Sequence, residues 1–221
     1  MKIFWLGHSC FLLKGSNGIS LLTDPFDEDV GYRLPRVRAD IVTVSHDHHD
    51  HNNVGIIKGN PEVVRGPGRH YVMGIEFGGF NTYHDQEKGR LRGSNTVFRF
   101  ELDGVVICHL GDLGHILAEK QASDIGPIDL LLVPVGGMYT LEAAKAWSVV
   151  EQLQPRIVIP MHYSTPALSF ELEGIEEFLK GRDFQGPMKC LEIKLDDWPQ
   201  ENGCRVVLLD YVHSIKDGSI D

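Results

Sequence analysis

The segment Ser45-His46-Asp47-His48-His49-Asp50-His51 restricts what this chain can be more than any other feature. Four histidines and two aspartates fill residues 46–51, directly after the short β-branched run Ile41–Val44. Such a run predicts a buried strand. A loop at the carboxyl end of a strand is a common place for ligands to bind in folds that combine helices and sheets. The segment therefore indicates a metal site rather than a polar surface loop or an adventitious chelating stretch.

The spacing within this segment divides the side chains into two sets. His46 and His48 are two residues apart, so their rings can converge on one ion in an extended or turning backbone. Asp50 and His51 follow at once and can face a second position. Imidazole and carboxylate ligands suit zinc, manganese or iron, and no cysteine is close enough in sequence to indicate a thiolate site.

Three further candidates follow other predicted strands. His84 comes after residues 80–83, Asp112 after a strand predicted over 105–108, and His162 after one over 156–160. Each residue alone would more often be a hydrogen-bonded structural residue than a ligand. Their shared placement at strand ends favours a metal site with contributions from several strands.

The pattern His46-x-His48-x-Asp50-His51, with His84, Asp112 and His162 later in the chain, resembles the metallo-β-lactamase superfamily. Asp24, within residues 21–25, is similar to the early aspartate that supports the site in that family. Residues 5–9, 109–112 and 134–140 resemble the small stand-alone metal-dependent hydrolases, including the ascorbate-6-phosphate lactonase-like branch.

The resemblance implies an α/β (α+β) protein, a four-layer αββα sandwich of two mixed β-sheets with helices on the outer faces. It also implies two divalent metal ions, with zinc expected and manganese or iron left open. By the same resemblance, the first metal is held by His46, His48 and His84. The second is held by Asp50, His51 and His162, and Asp112 bridges both.

The chemistry of such a centre explains its ligands. Two metals about 3.5–4 Å apart share a water whose pKa falls toward neutrality, which supplies a hydroxide nucleophile. We assign Asp50 a catalytic role, orienting that water or accepting its proton. His8 and His109 could orient a ligand or the substrate, or could be plain structural residues.

Two basic clusters stand out, at residues 32–38 and 88–92. They are either solvated loops or a source of one arginine that binds a phosphate or carboxylate of the substrate. Arg36 and Arg90 are the candidates for that contact. The expected partner is a small-molecule substrate, and a homo-oligomer is left open.

Length, charge and cysteine usage limit the other functions. The chain has 221 residues, 31 acidic and 21 basic, with a formal net charge of −10. We expect one domain over residues 1–215 and a frayed tail over 216–221. The charge disfavours nucleic acid as a partner. Cys10, Cys108, Cys190 and Cys204 are expected to be buried reduced thiols.

We also expect a soluble, cytoplasmic protein that has no membrane partner. The N-terminal apolar run is too short for a signal peptide, and the longest apolar stretch, residues 128–135, is far below the roughly 20 residues that span a bilayer.

Three functions fit these residues. The first is a metal-dependent hydrolase of a small anionic ester, lactone or phosphodiester. The second is an iron-dependent redox enzyme, similar to persulfide dioxygenases, on the same fold. The third is a nuclease, which the absence of a clamp-like insertion and the net charge disfavour. A metal-binding regulator without catalytic activity is a fourth, less favoured function. All seven ligand positions are present, which is more than passive metal binding requires.

Local patterns predict the secondary structure. Residues 2–6, 10–14 and 19–23 read as an antiparallel meander, and Asp103-Gly104 as a hairpin turn between strands 96–102 and 105–108. A helix with Thr140 as its cap is predicted to end before Pro155. A further helix is predicted over 170–179 and strands over 128–135, 156–160, 188–194 and 205–209.

Overall fold

The N-terminal strands form the meander that the sequence predicts. The computed structural model describes residues 1–33, 37–194 and 203–212. β1 (Lys2–Gly7), β2 (Cys10–Lys14) and β3 (Ser20–Thr23) are antiparallel neighbours. Ile3 lies opposite Leu13, and Leu13 lies opposite Leu21, so alternate apolar residues share one face of the sheet.

The chain then extends this sheet with parallel strands. β4 (Ile41–Val44) pairs with β3, and β5 (Glu62–Arg65) pairs with β4, both in parallel. All four residues of β4 are buried. This burial on both faces explains why the sequence of β4 lacks polar alternation. β13 (Leu191–Glu192) adds to β1, giving the six-stranded order β13-β1-β2-β3-β4-β5.

A second sheet of eight strands is mixed in the same way. Its strands are β6 (Gly68–Val72), β7 (Ile75–Tyr83), β8 (Ser94–Leu102), β9 (Val105–His109), β10 (Leu130–Pro134), β11 (Ile157–Met161), β12 (Phe184–Met188) and β14 (Arg205–Leu209). The order is β12-β14-β11-β10-β9-β8-β7-β6, with β6 to β9 antiparallel and the remaining pairs parallel. Asp103 and Gly104 both have positive φ, as the predicted hairpin turn requires.

The larger apolar cluster contains residues of both sheets. Trp5 and Phe11 from the first sheet join Phe77, Phe98 and Phe100 from the second, all at most 2% exposed. Each of these aromatic side chains buries a large apolar area. The two sheets therefore pack face to face, and their strand ends meet along a common edge.

Two of the described α-helices contact the eight-stranded sheet, and the third packs against one of them. α1 (Glu119–Ile125) contacts β7, α2 (Ala143–Leu153) contacts β10, and α3 (Glu176–Leu179) contacts α2. A second apolar cluster lies on the other face of the six-stranded sheet, where residues of the 3-10 turns Glu28–Val30 and Val54–Ile56 and of nearby loops cover it. The predicted class, α+β with two mixed sheets, is confirmed. Among the described residues, the layer outside the six-stranded sheet is made of turns and loops.

Several local predictions need correction. The helix predicted over 170–179 contains only its last four residues as α3, because the backbone N–H and C=O of Glu173 pair with Gly136 and Ser164 instead. The N-cap of α2 is Glu142 rather than Thr140. Cys10 and Cys108 are buried as predicted, but Cys190 is only half-buried and Cys204 is exposed; all four are free.

Some predictions fall where nothing is described. Residues 213–221, which include the tail predicted over 216–221, lie outside the described residues, as does Arg36. Within the described ranges, no helix has the length and apolar character needed to cross a membrane.

Candidate metal centre

Strand ends from both sheets bring the polar side chains of the site together. The 45–51 segment follows β4 in the first sheet. The other residues follow β1, β3, β7, β9 and β11; they are His8, Asp24, His84, Asp112 and His162. These five residues are buried, whereas the members of the 45–51 segment differ in exposure.

Three of these residues have a left-handed backbone, which non-glycine residues rarely adopt. The φ angles are 52° at His8, 38° at Asp24 and 53° at His162. Each of the three residues directly follows a strand, so the unusual conformation ends the strand and redirects the side chain. Strain of this kind clusters at functional sites.

The carboxylate of Asp112 is the centre of the arrangement. Its Oδ2 lies 3.0 Å from His84 Nε2 and 3.2 Å from both His51 Nε2 and His162 Nε2. The backbone N–H of Asp112 donates to Asn95 Oδ1 at 3.0 Å, which fixes its loop. Burial alone would raise the pKa of Asp112, but the surrounding imidazoles outweigh it and hold the pKa well below its usual range. Asp112 is therefore an anion that His51, His84 and His162 all face.

His46, His48 and His84 form the first set. Their candidate ligand nitrogens lie within 4.8 Å of one another. His46 Nδ1 contacts Ser45 Oγ at 2.9 Å, and His84 Nδ1 contacts the Tyr139 carbonyl at 3.1 Å, so both Nε2 atoms face inward. Burial, then nearby His51, lowers the pKa of His46 to about 3. A neutral imidazole is the form that binds a metal, whereas Asp112 outweighs burial at His84 and raises the pKa of that ring.

Asp50, His51 and Asp112 form a second set within the same 4.8 Å limit. His51 Nδ1 contacts Asp24 Oδ2 at 2.9 Å, which leaves His51 Nε2 to face Asp112 and, at 3.6 Å, Asp50 Oδ2. His162 reaches this set through Asp112, with its Nε2 turned toward the shared oxygen.

The donor atoms fit divalent cations. His51 Nε2 and Asp112 Oδ1 are buried and lack a hydrogen-bond partner among the described residues. Buried polar atoms without partners are costly, and a cation between the two sets would satisfy both. Nitrogen and carboxylate oxygen donors suit zinc, manganese or iron.

His8 lies beside the second set, and its ring nitrogen forms a group with those of His51 and His162 within 4.8 Å. Its Nε2 is 3.3 Å from Asp50 Oδ2, and its ring centroid is 4.2 Å from that of His162 and 4.9 Å from that of His51. Burial, followed by the neighbouring His162, lowers the pKa of His8 to about 4. The contact with Asp50 agrees with the orienting role considered from the sequence.

Asp24 and His109 form hydrogen bonds that hold the donor residues and their loops in place. Asp24 accepts hydrogen bonds from the Ser45 backbone N–H at 2.8 Å and from its hydroxyl at 2.6 Å, in addition to its contact with His51. His109 Nδ1 accepts the Gly111 N–H at 3.1 Å, so its Nε2 donates to the Ser9 carbonyl at 2.9 Å. His109 thus joins the loops that carry His8 and Asp112.

A pocket of about 580 Å³ opens above the two sets. Arg90 is not among the residues that line it, since it lies on the loop surface and pairs with Glu87 at 3.6 Å. Arg92, Tyr139 and Phe170 do line it. The sequence pointed to the basic cluster that contains Arg92 but favoured Arg90 within it, and it indicated no role for either aromatic residue.

Known proteins share this fold and are similar to this chain in sequence. Residues 2–162 match a family model described as a beta-lactamase superfamily domain. A protein of the metallo-β-lactamase superfamily from Thermotoga maritima has a solved structure with a TM-score of 0.78 and 41% identity, covering 95% of this chain and 99% of that one. The fold and the donor sets thus define a metal-dependent hydrolase of the metallo-β-lactamase superfamily.

Two relatives specify the group further. A UPF0173 protein of Pyrococcus abyssi is 35% identical, over 75% of this chain and 84% of its own. A UPF0173 metal-dependent hydrolase of Archaeoglobus fulgidus is 31% identical, over 82% of this chain and 92% of its own. The chain belongs to the UPF0173 family within the superfamily.

Proposed function

We propose that this protein hydrolyses a small anionic ester, lactone or phosphodiester at a centre of two divalent cations. The observation that carries the proposal is the convergence of two donor sets on the single carboxylate of Asp112, at the floor of an open pocket. His46, His48 and His84 would hold one cation, and Asp50, His51 and His162 the other. Zinc is the expected metal.

Bound cations would supply Lewis acidity and would lower the pKa of a water in the site. The chain's own contribution is to fix the donors beforehand. Ser45, Asp24 and the Tyr139 carbonyl each orient one imidazole of the site. Ligands held in this way need little rearrangement when substrate binds.

Asp50 is the candidate catalytic carboxylate. It is half-buried, lines the pocket, and has its Oδ2 3.3 Å from His8 Nε2 and 3.6 Å from His51 Nε2. Burial would raise its pKa, but the contact with His8 and the nearby His51 outweigh this and lower it. Asp50 is therefore ionised at neutral pH, the form that can orient a water or accept its proton.

The test combines metal reconstitution with a matched pair of aspartate variants. Protein stripped with a chelator and reloaded with zinc or manganese is assayed on p-nitrophenyl esters, lactones and bis-p-nitrophenyl phosphate. Asp50→Asn should lower kcat by about 100-fold, as expected for the loss of a general base. Asp47→Asn is the control, because Asp47 is 88% exposed and faces Arg65 at 3.8 Å.

Two results would contradict the proposal. One is a protein that carries two metals and hydrolyses none of these compounds. The other is an Asp50→Asn variant whose kcat equals that of Asp47→Asn. Tightly held iron at about one equivalent would favour the redox alternative, and persulfides would then replace the ester panel.

A further inference from the structure

Arg92 stands in the pocket wall above the donor sets. The same pocket is lined by His48, His84, Asp112 and His162. Among the described residues that line it, Arg92 is the one lysine or arginine. Arg92 also borders a neighbouring concavity of about 750 Å³, which shares His48 with the first. Arg92 therefore lines both of the cavities that adjoin the donor sets.

The position of Arg92 is fixed by contacts on its backbone and its side chain. Its N–H donates to Asp85 Oδ2 at 2.7 Å, and the Asp85 carboxylate also accepts from the N–H groups of Glu87, Gly89 and Leu91 at 2.7–2.9 Å. Asp85 is 4% exposed and directly follows His84. The loop that carries Arg92 is thereby tied to a candidate ligand.

Tyr139 supports the guanidinium. Arg92 Cζ lies 5.3 Å from the centroid of the Tyr139 ring, within the range of a cation–π contact. The Tyr139 carbonyl contacts His84 Nδ1 at 3.1 Å. One residue therefore orients a candidate ligand through its backbone and an arginine through its ring.

Among the described residues, no carboxylate pairs with the guanidinium of Arg92. In the ranges that the structure describes, Arg92 forms no ion pair, whereas nearby Arg90 pairs with Glu87 at 3.6 Å and has a 70% exposed side chain. A guanidinium presents paired N–H groups that match the oxygens of a carboxylate or phosphate. In a chain of net charge −10, such a group beside the donor sets indicates a site for an anion.

We propose that Arg92, supported by Tyr139, binds a carboxylate or phosphate group of the substrate that is separate from the bond being cleaved. The apolar part of the substrate then lies against Tyr139 and Phe170, whose ring centroids are 6.3 Å apart. This assignment rests on the proposed hydrolase function, which it deepens by requiring a substrate with a second, anionic group.

A matched pair of esters tests the assignment. p-Nitrophenyl butyrate is neutral, and mono-p-nitrophenyl glutarate adds a carboxylate to a similar acyl chain. Arg92→Gln should raise KM for the glutarate ester at least about tenfold, the loss of a charged hydrogen bond, with kcat within about twofold. KM for the butyrate ester should not change, and Arg90→Gln should leave both esters unaffected.

A binding measurement separates this inference from the proposed function. Calorimetric titration of the metal-loaded protein with glutarate, and separately with phenyl phosphate, distinguishes the two anions without any turnover. Arg92→Gln should weaken at least one anion about tenfold relative to Arg90→Gln, at equal metal content. Tyr139→Ala should reproduce part of this loss, and Tyr139→Phe should not.

Equal affinity of wild type and Arg92→Gln for both anions would overturn the assignment, whether or not any ester is cleaved. If both anions bind through Arg92 and no ester, lactone or phosphodiester is hydrolysed, the hydrolase proposal fails while the anion site stands.

Discussion

Asp24 is fully buried and serves two partners at once. It accepts both the N–H and the hydroxyl of Ser45, and it contacts His51 Nδ1 at 2.9 Å. Burial would raise its pKa, but His109 and His51 outweigh this and lower it. A carboxylate behind a ligating histidine holds the ring and selects the tautomer whose other nitrogen is free to bind a metal.

Asp24→Asn should weaken metal binding at the second position by about 10–100-fold, because His51 loses its charged acceptor. Chelator competition measures this affinity. Asp40→Asn is the matched control, since Asp40 also accepts the N–H and hydroxyl of a serine, Ser20, away from the donor sets. Equal affinities in the two variants would show that Asp24 only supports the fold.

The choice between Arg90 and Arg92 could not be made from sequence. The two arginines are two residues apart in a basic cluster. Which of them faces the pocket depends on the hydrogen bonds that Asp85 accepts from the loop backbone and on the position of Tyr139. The contact with Tyr139 has no local sequence signal, because Tyr139 is distant along the chain.

At the scale of elements, the turn after β9 must place Asp112 against the loop after β4. Gly111 occupies this turn with a φ of 54°. A Cβ here would overlap Asn95 Oδ1 and the Ser45 side chain. Asn95 Oδ1 accepts the Asp112 N–H at 3.0 Å. The close approach of Gly111 to Asn95 and Ser45 therefore positions the Asp112 carboxylate.

Gly111→Ala should destabilise the protein by about 3 kcal/mol, from overpacking and left-handed strain together. Gly18→Ala is a suitable control, because Gly18 also has a positive φ, 88°, but faces open space. It should cost about 1–2 kcal/mol. Urea unfolding gives both values, and equal losses would show that the packing against Ser45 and Asn95 is unimportant.

Asp40 connects β3 to the start of β4. It accepts the Ser20 hydroxyl at 2.7 Å and the Ser20 N–H at 2.9 Å, and these two bonds lower its pKa. A carboxyl whose pKa is lowered by folding stabilises the protein above its unfolded pKa, about 3.9. This stabilisation is lost as the pH falls through the lower, folded value.

Asp40→Asn should therefore destabilise the protein at neutral pH by up to about 1 kcal/mol, since the carboxylate is partly solvated. The difference from wild type should shrink as the pH falls below about 4. Denaturation at neutral and acidic pH measures it. A difference that stays constant down to the lowest pH would contradict a role for the charged form.

The helix predicted over 170–179 shows where local patterns fail. Phe170 turns toward the pocket, and Glu173 pairs through its backbone with Gly136 and Ser164. These long-range contacts override a sequence that favours a helix. The β1–β3 meander and the Asp103-Gly104 hairpin depend on neighbouring residues instead, and both were predicted correctly.

At the scale of the molecule, the site exists because two sheets end at one edge. His46 and Asp50 come from the first sheet, and His84, Asp112 and His162 from the second. The seven ligand candidates could be proposed from sequence because each follows a strand or belongs to the 45–51 segment. That Asp112 is their common neighbour depends on how the sheets pack, and the resemblance supplied this, not the spacing.

His109 also makes a contact that depends on how the two sheets pack. It belongs to the second sheet and donates to the Ser9 carbonyl of the first, next to His8. Its Nδ1 accepts the N–H of Gly111, next to Asp112. The sequence could not distinguish this connection from a plain packing role, because it spans about half the chain.

The central claim is that both donor sets bind a metal and share Asp112. Elemental mass spectrometry on untagged protein tests it most directly, with His48→Ala beside His49→Ala, whose exposed ring pairs with Asp27. We expect about two equivalents of zinc or manganese per chain in wild type and His49→Ala, and fewer in His48→Ala. One equivalent or less in wild type under metal-replete conditions, or no loss in His48→Ala, would contradict the two-metal account.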